Sequence, residues 1–380
     1  MVRPGAALET VALERRSGTF RPPTLQTLPV AVTANVARVR ARTRSTIMAV
    51  VKADGYGHGA VTVARAAVAA GAEWLGTTSI AEASALRAAG LTVPILTWLN
   101  PSGIDAEAAA SGGIDVAVGS VDELGALVTQ AATVRVHLHV DTGMSRGGCP
   151  RRQWDELIGL ARRGQRSGRV RVAGVMGHLA LADQADPSAN APAVAAMHEA
   201  RQAVEAAGLG SPLAHLAATS GVVTDPATHF GMVRVGAGLV GIDPSGTVEM
   251  HGASRLTASI VHTTKVAAGT PVGYGGAYVT DRATHLSVLP IGYADGIPRE
   301  CSPEAGVEIR GRRFPVVGRV SMDQIVIDTG AESFRAGTVA TVFGPDGAAT
   351  PTIHDWARWA GTIPHTIVSG IGPRVKRSIA

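Results

Sequence analysis

Lys52 stands at the end of an apolar run, Ile47–Val51, and is followed at once by Ala53-Asp54-Gly55-Tyr56-Gly57-His58-Gly59. An amine at the end of a buried strand is partly desolvated. Desolvation disfavours the ammonium form, so such an amine is easier to deprotonate and can form a Schiff base. The chain holds only three lysines, Lys52, Lys265 and Lys376, among 35 basic residues. A composition that has nearly abandoned lysine yet keeps one here makes Lys52 the first candidate for covalent chemistry. Taken alone, a lysine snorkelling from a strand end into water is the simpler reading; the other residues reverse it. The four tyrosines form a second set: Tyr56, Tyr274 in Val-Gly-Tyr-Gly-Gly-Ala-Tyr, Tyr278, and Tyr293 in Pro-Ile-Gly-Tyr-Ala-Asp-Gly. Each lies in or beside a glycine-rich turn rather than in a helical core, which raises the prospect that the hydroxyls do chemistry.

Such groups need elements to aim them. From about residue 30 to 241 a short apolar strand, a turn and an Ala-rich helix recur. The strands read as Ile47–Val51, Trp74–Thr78, Pro94–Trp98, Asp115–Val118, Val134–Val140, Val170–Met176, Leu213–Ala217 and Met232–Val235. Helices read as Val61–Ala70, Ile80–Ala89, Val121–Gln130, Arg152–Gly164 and Ala191–Ala207, with Gly71, Gly90 and Gly208 as stops. Eight such units point to a (β/α)8 TIM barrel; a doubly wound open sheet is the alternative. Barrel enzymes carry their chemistry at the carboxyl ends of the strands. There the sequence places Lys52, then Asp141 and Arg146, His178, Thr219 and Ser220, and Gly236-Ala237-Gly238. The loops after the seventh and eighth strands often bind phosphate. A Schiff-base lysine with a phosphate cradle points to pyridoxal 5'-phosphate.

Past residue 255 the pattern changes to short β-branched runs: Leu256–Val266, Leu286–Leu289, Val307–Arg310, Phe314–Val317, Gln324–Ile327 and Thr338–Val342, with a helix at Thr352–Trp359. The expected organisation is an N-terminal extension over 1–28, a cofactor-binding barrel over 29–255, and a mainly antiparallel β domain over 256–380. The first two dozen residues, with Pro4, Pro22 and Pro23, read as an extended leader or docking segment. Net charge is +5, but the arginines are scattered, which gives nucleic-acid binding little support. Two cysteines make no disulfide framework, and no apolar run approaches the ~20 residues of a membrane span. A cytoplasmic enzyme with no metal site is the expectation.

Together these motifs resemble the alanine racemases, pyridoxal phosphate enzymes of fold type III. The matching stretches are Val51–Gly59, Asp141–Arg146, Gly177-His178, Met232–Gly236, Tyr274-Gly275, Gly292–Gly296 and Gly318–Asp323, in the family's order. The resemblance implies racemisation of L- and D-alanine, D-alanine for peptidoglycan, and a head-to-tail homodimer whose sites take second-domain residues from the partner. It implies that Lys52 holds the cofactor and is one base, and that Tyr274 is the other. Tyr56, Ser220, Gly236 and Ala237 are implied as phosphate ligands. His178 is implied against the cofactor ring and Arg234 at the ring nitrogen. Arg146 and Met322 are implied near the cofactor oxygen and substrate carboxylate, and Asp183, Tyr293, Arg299 and Arg319 along the substrate entryway. Read singly, Asp141–Arg146 is equally a plain turn, His178 a core histidine, Arg234 an ion pair, Ser220 a helix cap and Met322 core filling.

The chain departs from the family in several places. His139 stands where many relatives have a lysine, often carbamylated, that orients the arginine matching Arg146. Pro373 stands where many have a tyrosine that touches the phosphate, Thr219 replaces an asparagine, and Thr24–Val32 keeps little of the N-terminal strand signature. A wider entryway and a looser phosphate grip are expected. Other readings are a serine or broader amino-acid racemase, a fold-type III decarboxylase, or a non-catalytic pyridoxal phosphate-binding protein.

Overall fold

The structure, a computed structural model, describes residues 21–345 and 347–380. After a first strand, β1 (Thr24–Thr27), and a helix over Pro29–Arg40, eight parallel strands close into a barrel. They are β2 (Thr46–Val50), β3 (Trp74–Thr77), β4 (Ile95–Thr97), β5 (Ile114–Val118), β6 (Val134–His139), β7 (Val170–Met176), β8 (Leu213–His215) and β9 (Met232–Val235). The register closes β2 on β9, with Met48 opposite Arg234. All eight strands stand where the sequence places them, and the barrel is closed rather than an open sheet. Buried β-branched and Leu side chains on the outer strand faces pack against the helices in two clusters. Inward positions hold Met48, Leu96, Ala117, Met176 and Met232.

Two helices start with the same signal. Ser79 and Ser120 each accept the backbone N–H three residues on, from Glu82 (3.3 Å) and Glu123 (3.0 Å). Glu82 then turns its carboxylate outward to Thr78 and to the Ala53 N–H. Helix capping and the loop after Lys52 are thereby joined.

The second domain is built on a nine-stranded sheet. Its remaining strands are β10 (Ser254–Ser259), β11 (His262–Val266), β12 (Pro271–Val272), β13 (Tyr278–Val279), β14 (Thr284–Leu289), β15 (Gly306–Ile309), β16 (Arg312–Val317), β17 (Ile325–Gly330), β18 (Val339–Phe343) and β19 (Lys376–Ile379). The order is β11-β14-β17-β16-β15-β18-β10-β1-β19, antiparallel except for β1 with β19, while β12 and β13 form a separate pair. Two expectations are corrected here. Leu256–Val266 is not one strand; it breaks at Ile260–Val261 into β10 and β11, which lie far apart in the sheet order. Nor are residues 24–27 part of an extension: β1 fills the gap between β10 and β19. Leu25, with no exposed surface, is the anchor; burying it contributes about 2–3 kcal/mol. The leader reading of residues 1–20 lies outside the described part; Pro22 and Pro23 are described, and the Pro23 carbonyl accepts the Lys376 N–H (2.9 Å). Among the described residues no helix is long and apolar enough to cross a membrane.

Candidate active site

Lys52 follows β2 directly, at the carboxyl-end mouth of the barrel. The next four residues all adopt left-handed backbone: Ala53 (φ 52°), Asp54 (53°), Gly55 (63°) and Tyr56 (56°). That conformation costs about 1–2 kcal/mol at each non-glycine residue. Hydrogen bonds hold it: Ala53 N–H to Glu82 (2.9 Å), Gly57 N–H to the Ala53 carbonyl (3.0 Å), and Ala60 N–H to the Asp54 carboxylate (2.8 Å). The turn folds Tyr56 back against Gly236, where an added Cβ would lie 2.2 Å from the phenol oxygen. Only glycine admits the ring there. Burial pushes Tyr56 up to about 12, so it stays a protonated donor. Its hydroxyl has no hydrogen-bond partner among the described residues.

Burial also lowers the pKa of Lys52. The charge of Arg146 lowers it further, Glu82 opposes, and Arg234 adds to the lowering. Arg234 projects inward from β9 and is almost fully buried, with no carboxylate partner among the described residues. Its Nη1 donates to His215 Nδ1 and to the His215 carbonyl (both 2.9 Å); its Nη2 meets the Gly177 carbonyl (2.7 Å), the Leu216 carbonyl (3.0 Å) and His178 Nδ1 (3.1 Å). Nε has no partner among the described residues, so one N–H remains to be given. Burial draws Arg234 down to about 10, which leaves it a cation at neutral pH.

Behind Arg234 runs a chain that the sequence analysis did not find. His215 Nε2 bonds His137 Nδ1 (2.8 Å), and His137 Nε2 bonds Asp115 (3.2 Å), which also receives Arg135 (2.9 Å). Because Arg234 can only donate, each imidazole is neutral with its proton on Nε2. The available signal was the alternation Arg135, His137, His139 along one strand, which puts polar side chains on the face that should be filled with apolar ones.

His178, after β7, is held by Thr142: the Thr142 hydroxyl donates to the His178 carbonyl (2.8 Å) and accepts its N–H (3.2 Å). Burial, then the charges of Arg234 and Arg146, lower His178 to about 3, so its ring is neutral. His139 is likewise lowered to about 4 by burial and Arg234. It is neutral and makes no hydrogen bond to Arg146 among the described residues. Asp141 accepts the N–H groups of Gly143, Met144 and Ser145 (2.9, 3.0 and 3.1 Å), which builds the loop that presents Arg146.

Ser220 lies inside the first turn of the short helix Thr219–Thr224, capped by Ala218, so it is no helix cap. Its hydroxyl donates to Asp183 (2.5 Å). Thr219 accepts the Gly238 N–H (3.1 Å) and ties this loop to the one carrying Gly236 and Ala237. The second-domain candidates gather elsewhere. Tyr274 is 69% and Met322 52% exposed. Arg319 reaches beside the Tyr274 loop, and the Tyr293 and Ala294 N–H groups bond the Ser321 and Met322 carbonyls (3.1 and 3.0 Å). Arg374 ties these loops together through Asp295 (2.9 Å) and Asp323 (2.7 Å). Arg299 pairs with Glu300 (2.7 Å). Among the described residues no hydrogen bond or ion pair links Lys52, Arg146, His178 or Arg234 to Tyr274, Arg299, Arg319 or Met322.

The family model for the alanine racemase N-terminal domain matches residues 29–244, and that for the C-terminal domain matches residues 253–379. The chain belongs to the alanine racemase family. It is 41% identical to the alanine racemase of Thermobifida fusca over 355 residues, 91% of this chain and 95% of that protein. Its fold is similar to the alanine racemase from D-cycloserine-producing Streptomyces lavendulae, with TM-score 0.90 and 39% identity over 94% of this chain and 97% of the other. The alanine racemase of Bartonella henselae with covalently bound pyridoxal phosphate matches at TM-score 0.83 and 27% identity, over 95% and 100%.

Alanine racemases are pyridoxal phosphate-dependent isomerases, and the groups described fit that cofactor. An amine of lowered pKa suits an aldehyde, and the spare N–H of Arg234, which has no carboxylate partner among the described residues, suits a ring nitrogen. The unpartnered Tyr56 phenol, backed by a glycine that a Cβ would fill, suits a phosphate.

Proposed function

We propose that the chain interconverts L- and D-alanine as a head-to-tail homodimer, with Lys52 as one base and the partner subunit's Tyr274 as the other. The observation that carries this reading is the division of groups: an enclosed amine-bearing half in the barrel, and an exposed tyrosine-bearing half on the β domain. When bound, pyridoxal phosphate delocalises the charge left on the substrate α-carbon as its proton leaves. Lys52, its pKa lowered by burial and Arg146, takes or returns that proton on one face; a phenol does so on the opposite face. Arg234 gives a hydrogen bond but not its proton, which keeps the electron withdrawal modest and limits side reactions. Neutral His178 steadies Arg234 and would lie beside the cofactor ring. Tyr56, Ser220, Gly236 and Ala237 would hold the phosphate. Arg146 and the Met322 backbone receive the cofactor oxygen and the substrate carboxylate. Asp183, Tyr293, Arg299 and Arg319 line the approach.

The proposed setting is the cytoplasm, with D-alanine feeding peptidoglycan. A decarboxylase of this fold type would use a reactive cysteine of the second domain; Cys301 is half-buried, its thiol raised by burial and Glu300, which disfavours that reading. The test is α-deuterium incorporation from L-alanine in heavy water. The natural chain should yield deuterated D-alanine; Lys52→Ala should yield neither exchange nor inversion. Tyr274→Phe should bind cofactor normally and lose inversion by ~10²–10⁴-fold. Inversion at the normal rate in that variant would refute the two-base assignment.

A further inference from the structure

The helix Pro364–Ser369 of the β domain leans on the left-handed turn after Lys52: a Cβ on Gly57 would lie 2.3 Å from the Val368 carbonyl oxygen. This contact carries His365 to Tyr56, with 6.1 Å between ring centroids and 52° between planes. Neither ring nitrogen of His365 has a hydrogen-bond partner among the described residues, and Nδ1 is wholly buried. A buried N–H without an acceptor is rarer and costlier than a buried lone pair. The proton therefore belongs on Nε2, the nitrogen that is not enclosed. Burial lowers the pKa of His365, Asp183 raises it, and Lys52 and His354 lower it. The ring lies within electrostatic range of Lys52 and of Asp183, the carboxylate that accepts the Ser220 hydroxyl.

We propose that His365 is a phosphate ligand of the cofactor, its Nε2–H donating to the phosphate monoester beside Tyr56 and Ser220. The assignment rests on the pyridoxal phosphate reading above. It alters one expectation from the sequence: with Pro373 in place of a phosphate-touching tyrosine, the lost hydroxyl is replaced from a different segment, and the grip is not loosened.

The test compares two ligands on enzyme freed of cofactor. Pyridoxal phosphate and unphosphorylated pyridoxal are titrated separately, with Schiff-base absorbance at Lys52 as the readout and inorganic phosphate as competitor. In H365F the Kd for pyridoxal phosphate should rise about tenfold to a hundredfold, the worth of a charge-assisted hydrogen bond. The Kd for pyridoxal should stay unchanged, and inorganic phosphate should compete less well. H365Q, which keeps an N–H donor, should recover most of the affinity. If H365F does not fold, H365N, whose donor is too short to reach, takes its place with the same expectation. Equal weakening toward both ligands would show a merely structural role and overturn the proposal, as would unchanged affinity for pyridoxal phosphate. Failure of the cofactor reading itself is distinct: the natural chain would then show no Schiff-base absorbance with either ligand.

Discussion

The two halves of the site are built on opposite principles. In the barrel, Arg234 is 4% exposed and His137 and His215 are 0% exposed, and each is held by hydrogen bonds that fix its orientation. On the β domain, Tyr274 and Met322 stand in solvent, placed by backbone contacts and one exposed arginine rather than by packing. One polypeptide can complete the barrel half alone, because burial makes every unpaired donor or acceptor there expensive. The β half is preassembled as an exposed surface, which the proposed dimer would cover.

Acid should open the barrel half first. In the barrel, His139 is lowered to about 4 and His178 to about 3, each chiefly by burial. An unfolded chain takes up protons on histidine below about pH 6.5, and the folded barrel does so only near pH 3–4. Stability is therefore complete above about pH 6.5 and is lost as pH falls through that window, on the order of 3 kcal/mol for each histidine by pH 4. Thermal unfolding between pH 7 and 4 should show the loss. Hydrogen exchange should locate the first opening at β6–β9, not in the nine-stranded sheet.

A smaller effect is expected from Asp115→Leu. It leaves the His137 Nε2–H unpaired inside the barrel, at a cost of about 1–3 kcal/mol. Denaturant unfolding checks this, and kcat should fall because Arg234 loses its backing while KM for alanine changes little. The smallest effect should come from Arg374→Ala, which frees the loops carrying Tyr293 and Met322. There the expectation is a rise in KM of roughly three- to tenfold with nearly unchanged thermal stability. An unfolding transition shifted as far as that of Asp115→Leu would erase the contrast between the halves.

How much of this was legible in the sequence differs between the same regions. The barrel strands could be read because both of their faces are buried, so each is a continuous apolar run bounded by turns. β1 could not: Thr-Leu-Gln-Thr is four residues with one apolar anchor, and only pairing with β10 and β19, more than 200 residues away, makes it a strand. The glycine–tyrosine motifs announced Lys52, Tyr56 and Tyr274 because strained turns demand particular residues. The Asp115–His137–His215–Arg234 chain stayed hidden because its members come from four strands and meet only when the barrel closes. His365 stayed hidden for the same reason, since its neighbour Tyr56 belongs to the other domain.

The central claim is that a working site takes Lys52 from one chain and Tyr274 from another. The direct test mixes two inactive variants, Lys52→Ala and Tyr274→Phe, after dissociation and reassociation in equal amounts. In a head-to-tail dimer, each mixed pair holds one intact site and one doubly altered site. Half of the random dimers are mixed, so about one quarter of the natural racemase activity should return. If both residues served the same chain's site, no mixed dimer would hold an intact site, and the absence of any recovered activity in dimers shown to have exchanged would contradict the account.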